Sequence, residues 1–272
     1  MSTLSTLFQL SGHANQGISL RDKKVAFLIA GLGVIGHHRP KIRSWFRQQI
    51  DAVTVDNLIE VKLEIRNKNK NKQVKFLMRR GNEGDYLMAG EFVRGGYQVP
   101  NFEPEMIIDG GANIGMFAIQ AAHQFPNATI VCYEPDPDNF QLLCNNLKRN
   151  NFQVKTHKLG LWSKDTTLYY HTKSSETGFV NENPPGVPIR CILPQIRENC
   201  WLKLDIEGAE YEVLPTLLEQ KQYPRWISME IHDFDTKGRS IVDLLKVHNY
   251  IVEGGENEAS PCEVILAYQA QK

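Results

Sequence analysis

The chain has 272 residues, enough for one large domain with appendages or for two small ones, and 42% of them are hydrophobic, as in an ordinary folded protein. Lysine plus arginine equals aspartate plus glutamate at 31 each, so no overall field favours nucleic acid or an acidic membrane surface. Five scattered cysteines, Cys132, Cys144, Cys191, Cys200 and Cys262, form no CxxC pair; they argue against a disulfide framework or zinc site and suit reduced thiols in a cytosolic-type compartment.

The first 21 residues are polar, with no basic start running into an apolar core, and no signal peptide is expected. Residues 25–36 then carry a literal GxGxxG (Gly31, Gly33, Gly36) after a strand-like run. His37, His38, Arg39 and Pro40 break the pattern at once, and no strand ending in an acid follows near residue 55. A packing helix or strand is preferred there to a dinucleotide site, and the apolar run, about a dozen residues, is too short to span a bilayer. Lys41 to Ile50 reads as a helix with a solvated basic face. Leu58–Ile65 and Val74–Met78 alternate with period two around a lysine-rich turn at 67–72, which predicts an antiparallel pair. An amphipathic helix is expected over Asp85–Val93, closed by Gly95 and Gly96, and its position upstream of the glycine-rich segment at 110–115 makes Glu91 and Tyr97 candidates for a lid over a cofactor bound there.

Residues 106–116 organise the rest of the chain. An apolar run ends in Asp109, glycines follow at 110, 111 and 115, and a helix-compatible run begins, which reads as buried strand, tight turn and helix N-terminus. Gly111 and Gly115 let the backbone approach a ligand, and the first helical amides point outward unpaired. Asp109 before the glycines would repel a pyrophosphate, whereas it suits a ligand carrying an ammonium and a sulfonium. The ligand implied is S-adenosylmethionine. Its ribose should meet Glu134, which ends a second strand over residues 128–134 and can accept both hydroxyl protons.

Asp136 and Pro137 predict a helix cap and first turn, with Phe140, Leu143, Cys144 and Leu147 on the core face. A third strand is expected over Val154–Leu161, its end at residues 160–163 beside the adenine, and another over Thr167–His171. Ser174 to Pro188, rich in Ser, Gly, Asn and Pro, reads as a mobile loop. Residues 201–210 repeat the pattern of strand, acids and glycine, leading into a helix with Val213, Leu214, Leu217 and Leu218 on one face and Pro215 near its first turns or at a kink. A fifth strand spans Trp226–Asp233. A helix with Ile241, Leu244 and Leu245 and an antiparallel pair, 250–252 with 264–268, close the chain.

These segments resemble the FkbM family of S-adenosylmethionine-dependent methyltransferases: IIDGGANIG at 107–115, YEPDP at 133–137, LGLWS at 159–163, WLKLDIEGAEYEVL at 201–214 and MEIHDF at 229–234. The resemblance runs over roughly residues 76–269, and KLDIEGAE is its most specific part. It implies an α/β class I methyltransferase (Rossmann-like) fold, with a seven-stranded, mostly parallel sheet, helices on both faces and one antiparallel strand near the C-terminus. It also implies O-methylation of a hydroxyl on a sugar, polyketide or other secondary metabolite, so the expected partner is a small-molecule or glycan acceptor, with no nucleic acid and no transmembrane segment. By the same resemblance Asp109, Gly111, Asn113 and Gly115 hold the methionine part, Glu134 the ribose, and Leu161 lies near the adenine. The division expected is an N-terminal extension over 1–75, of open role, and a methyltransferase domain over 76–272.

A sulfonium methyl is already activated, so the protein must align an acceptor oxygen with the S–CH₃ bond and remove its proton. Asp205, Glu207, Glu230, His232 and Asp233 stand at strand ends, where open α/β sheets bind ligands, whereas Glu210 reads equally as a helix-capping acid and is left out of the chemistry. Asp205, Glu230 and His232 are the expected catalytic groups, His232 as general base because an ordinary imidazole titrates near working pH. An alternative has Asp205 with Glu230 or Asp233 holding one Mg²⁺ that lowers the hydroxyl's pKa. A nicotinamide-dependent oxidoreductase and a non-catalytic S-adenosylmethionine-binding protein are the readings from other classes. The first would want GxGxxG without Asp109 before it, and the second would lack the strand-end acids.

Overall fold

The computed structural model describes residues 28, 40–53, 57–65, 72–93, 97–172, 178–197, 199–257 and 259–269. The GxGxxG at 31–36 and the turn at 67–71 lie outside the described residues. The chain divides into two compact units. One takes the described residues up to Tyr97 with Ile114–Gln124 and Gln141–Gln153; the other takes Gln98–Asn113, Phe125–Phe140 and the chain from Val154 onward.

The first unit contains α1 (Pro40–Val53), the antiparallel strands β1 (Leu58–Ile65) and β2 (Lys72–Arg79), α2 (Glu83–Val93), α3 (Met116–Gln124) and most of α4 (Pro137–Arg149). The period-two pattern decides which face of the strand pair is buried. Ile59 lies opposite Met78, Val61 opposite Phe76 and Leu63 opposite Val74, and all six are buried. Phe76 meets Phe92 of α2 edge to face, with centroids 4.9 Å apart.

Two asparagines of α4 take up main-chain groups of β2. Asn146 Oδ1 accepts from Leu77 N (2.6 Å) and its Nδ2 donates to Leu77 O (3.1 Å), while Asn150 does the same with Lys75 N (2.9 Å) and Lys75 O (2.8 Å). The spacing matches because four helical residues rise about 6 Å and two strand residues about 6.6 Å. Asn146 is fully buried and also donates to Ile114 O at 2.9 Å. Asn146→Ala strands these buried groups and is expected to cost at least about 2 kcal/mol in urea denaturation. A loss below half of that would show that the asparagine bonds are incidental.

The second unit holds a mixed sheet of seven strands in the order β12-β13-β11-β10-β3-β4-β5. Its members are β3 (Met106–Gly110), β4 (Thr129–Tyr133), β5 (Lys155–His157), β10 (Cys200–Leu204), β11 (Trp226–His232), β12 (Tyr250–Gly254) and β13 (Cys262–Gln269). The β10–β11, β10–β3, β3–β4 and β4–β5 pairs are parallel, and β13 lies antiparallel to both β11 and β12. Strands with both faces covered read as continuous apolar runs, as Cys200–Leu204 does; all five of its residues are buried, Lys203 among them. Leu202, Leu204, Ile227, Met229 and Ile231 pack with Val213, Leu214 and Leu217 of α5 (Glu210–Glu219) and Ile241, Val242 and Leu245 of α6 (Arg239–Val247). Pro215 lies inside α5, past its first turn.

Two sequence expectations are corrected in this unit. Residues 154–161 form no single strand: β5 stops at His157, and β6 (Gly160–Leu161) joins a separate four-stranded sheet, β6-β9-β7-β8, where Trp162 N donates to Ile192 O at 2.9 Å. Nor is 174–188 a loop throughout, since β8 (Gly178–Asn181) and β9 (Val187–Ile192) both pair antiparallel with β7 (Thr166–Thr172). The Gly and Pro content suggested irregular chain, yet cross-strand pairing overrides weak propensity. Residues 173–177 lie outside the described residues.

Candidate active site

β3 delivers Asp109 to the sheet's carboxyl edge, and the chain then turns through left-handed Gly111 (φ 73°) and Asn113 (φ 47°). The N–H groups of Gly111 and Ala112 both donate to Tyr133 O at 3.0 Å, which ties the turn to the end of β4. A side chain on Gly111 would run into the carbonyl oxygen of Asp205, so the ends of β3 and β10 approach without room for a Cβ. Gly115 (φ 92°) starts the run into α3 and belongs to the first unit.

Glu134 follows β4 and is buried. Its Oε2 accepts from Asn113 N at 2.7 Å and its Oε1 from Asp136 N at 2.9 Å, while Asp136 Oδ1 caps α4 by accepting from Asp138 N and Asn139 N, both at 2.9 Å. Burial raises the Glu134 carboxyl to about 7 against the pull of those two amides. Each oxygen keeps a second lone pair for a ligand hydroxyl. Asn113 Oδ1 is buried and has no hydrogen-bond partner among the described residues, an acceptor suited to a ligand N–H. Leu161 is buried against the same turn, where a Cβ on Gly110 would come within 2.8 Å of its Cδ1. The cradle therefore fits a nucleoside carrying a cationic tail.

Beneath the turn lies a group that the sequence reading passed over. Register pairs Lys203 with Asp109, and both are buried. Lys203 Nζ donates to Gly111 O (2.7 Å) and Gly110 O (3.2 Å), and lies 3.3 Å from Asp109 Oδ1 and 3.7 Å from Asp205 Oδ2. Desolvation raises the Asp109 pKa, and Lys203 opposes that rise. The signal was present: a lysine inside an apolar strand needs a buried partner, and the neighbouring strand ended in an acid.

At the carboxyl ends of β10 and β11 the structure brings Asp205, Glu207 and His232 together. The loop between β10 and α5 is braced by Glu210, fully buried, which accepts from Ile206 N (3.0 Å) and Gly208 N (2.8 Å). Its Oε1 also lies 3.1 Å from His232 Nδ1, so Glu210, which the sequence suggested was a helix-capping acid outside the chemistry, orients the imidazole. Burial alone would lower the His232 pKa, but the hydrogen bond with Glu210 and the charges of Glu210, Glu207 and Asp205 outweigh it and raise it to about 9. The expectation of an imidazole titrating near neutral pH is corrected accordingly.

The ligand set expected for Mg²⁺ is also rearranged. Asp233 takes a left-handed conformation (φ 51°) and turns its carboxylate to Lys237, 3.2 Å away. Glu230 accepts from Cys262 Sγ at 2.9 Å. Neither joins Asp205 in a three-donor group among the described residues, whereas Glu207 and His232 do. Mg²⁺ itself gains no support from a set containing an imidazole.

A seven-stranded mixed sheet with a glycine turn, a buried acid after β4 and a group of acids and a histidine at the next strand ends defines an α/β protein with a candidate ligand cradle beside titratable side chains. The Methyltransferase FkbM domain family matches residues 109–252, more than half of the chain, and the protein belongs to that family. Among curated proteins, Methyltransferase 1 of Beauveria bassiana (strain ARSEF 2860) is 27% identical over 165 residues, covering 48% of this chain and 66% of that protein. Methyltransferase sdnD of Sordaria araneosa is 33% identical over 89 residues, 32% of this chain and 34% of that protein. The chain thus spans less than two thirds of the length of either relative. A solved structure, methyltransferase FkbM from Methylobacillus flagellatus KT, is similar at 14% identity with a TM-score of 0.45, covering 97% of this chain and 58% of that one. No helix among the described residues is long and apolar enough to cross a membrane.

Proposed function

We propose that this chain transfers a methyl group from S-adenosylmethionine to a hydroxyl of a sugar or secondary-metabolite acceptor. The observation that carries the reading is the cradle formed by Asn113 and Glu134, set one strand away from the acids at the ends of β10 and β11. In this reading Glu134 takes the ribose hydroxyls, Asn113 Oδ1 the ammonium, Leu161 flanks the adenine, and the turn at Gly111 passes close to the methionine part. The cofactor supplies, when bound, an electrophilic methyl on sulfur. In this reading the Asp205 carboxylate, its Oδ2 3.7 Å from Lys203 Nζ, takes up the hydroxyl proton. Glu210 sets His232 at 3.1 Å from its Nδ1, and Glu207 lies 3.6 Å from the other ring nitrogen, so the acceptor meets a polar wall at these strand ends. Glu230 on β11 accepts from the Cys262 thiol at 2.9 Å.

The test is calorimetric titration with S-adenosylhomocysteine across pH. A Glu134 pKa raised from 4.5 to about 7 in the folded protein contributes stability that is complete below 4.5 and lost as pH rises through 7. Ribose binding has the opposite sign, because the hydroxyls donate to the ionised form. Affinity is expected to rise about tenfold between pH 6 and pH 8 and then level off, the span of one titration centred near 7. Glu134→Gln should bind more weakly and show a flat profile. No binding of S-adenosylhomocysteine at any pH would refute the cofactor assignment.

A further inference from the structure

One carboxylate oxygen of Asp205, one of Glu207 and one ring nitrogen of His232 lie within 4.8 Å of one another at the ends of β10 and β11. Only one oxygen of Asp205, Oδ2, faces Lys203; nothing bonds the other among the described residues. His232 Nδ1 is taken by Glu210 at 3.1 Å, which leaves Nε2 turned to Glu207 Oε2 at 3.6 Å. That gap is long for an N–H···O bond. It is close to the separation of about 3.4 Å between two donors that each sit about 2.1 Å from one tetrahedral ion.

The buried carboxylate behind the ring is an independent sign. Histidines that bind metal donate their other ring N–H to a carboxylate, which fixes the nitrogen that faces the ion. Glu210 is itself locked by Ile206 N and Gly208 N, so the imidazole is oriented before any ligand arrives. Glu207 reaches the group through a left-handed backbone (φ 55°), a conformation uncommon away from glycine and one that folds retain at functional sites. A second grouping, Glu230 and Cys262 with the same His232, is occupied internally, because Glu230 already accepts the Cys262 thiol.

We infer that Asp205, Glu207 and His232 bind one divalent transition-metal ion. Two carboxylates and an imidazole suit Mn²⁺, Fe²⁺ or Zn²⁺ and leave positions open for water and for an acceptor oxygen. The role of the ion rests on the methyltransferase reading: Asp205 N donates to Gly110 O at 3.2 Å, which sets the ion beside the cofactor turn, where it would lower the pKa of an acceptor hydroxyl bound to it.

The test uses the 272-residue chain, stripped with EDTA, dialysed and titrated with MnCl₂ while the electron paramagnetic resonance signal of free Mn²⁺ is followed. One Mn²⁺ should bind per chain, at least about tenfold more weakly in Glu207→Gln and in His232→Gln, and Cys262→Ser should bind as the parent does. Calorimetry with S-adenosylhomocysteine on the same samples reports folding and the cofactor cradle. Normal S-adenosylhomocysteine binding without Mn²⁺ uptake overturns the metal site and leaves the methyltransferase reading intact. Mn²⁺ uptake unchanged in Glu207→Gln also overturns it, and that variant decides the matter if His232→Gln does not fold.

Discussion

Lys203→Met is expected to destabilise the protein by about 3–5 kcal/mol, the range for removing one partner of a buried ion pair. The substitution leaves Asp109 in a site with no solvent, its Oδ1 facing the place from which the ammonium was 3.3 Å away. It also takes the donor from Gly110 O and Gly111 O, so the turn itself loosens. Urea denaturation of the parent and the variant measures the loss. Asp109 already has a raised pKa, and without Lys203 it should rise further. The stability of the variant should therefore be greatest in acid and fall as pH rises through that value, because the folded state prefers the neutral carboxyl. Adding Asp109→Asn should return a large part of the loss at neutral pH, since no uncompensated charge then remains. A deficit below about 1 kcal/mol in the single variant would mean that the two charges do not depend on each other.

Gly111→Ala is expected to cost about 3 kcal/mol or more and to weaken S-adenosylhomocysteine binding together with stability, because backbone strain and a steric clash coincide at this position. Its φ of 73° disfavours a side chain, and the added methyl would strike the backbone oxygen of Asp205, which cannot swing away as a side chain would. Gly208 is the control. Its φ is 101° but nothing lies within 4 Å of the Cβ position. Gly208→Ala should therefore pay only the left-handed cost of about 1–2 kcal/mol. Equal losses in the two variants would show that the approach of β3 to β10 is not what the glycine serves.

Local sequence signals predicted the glycine turn and its flanking acids because these parts are close in the chain and each follows from backbone chemistry. An acid after an apolar run, a glycine where φ must be positive and an Asp-Pro helix start are legible without knowing the fold, and Asp109, Gly111, Glu134 and Asp136 stand as those signals imply. The paired strands β1 and β2 and most of the central strands followed from period and apolar run length for the same reason. Family membership rests on those segments as well.

What joins distant segments was decided by the tertiary structure. Lys203 became part of the site only through the register that sets β10 against β3, 94 positions on from Asp109. Glu210 looked like a capping acid, and only the packing of α5 beside β11 makes it the brace of His232. The pKa of that histidine depends on three carboxylates, and no sequence window shows how near they come. Hydrophobic period is a property of one segment, and it therefore sets element type; charge coupling depends on distances between segments, and those exist only once the sheet order has been formed.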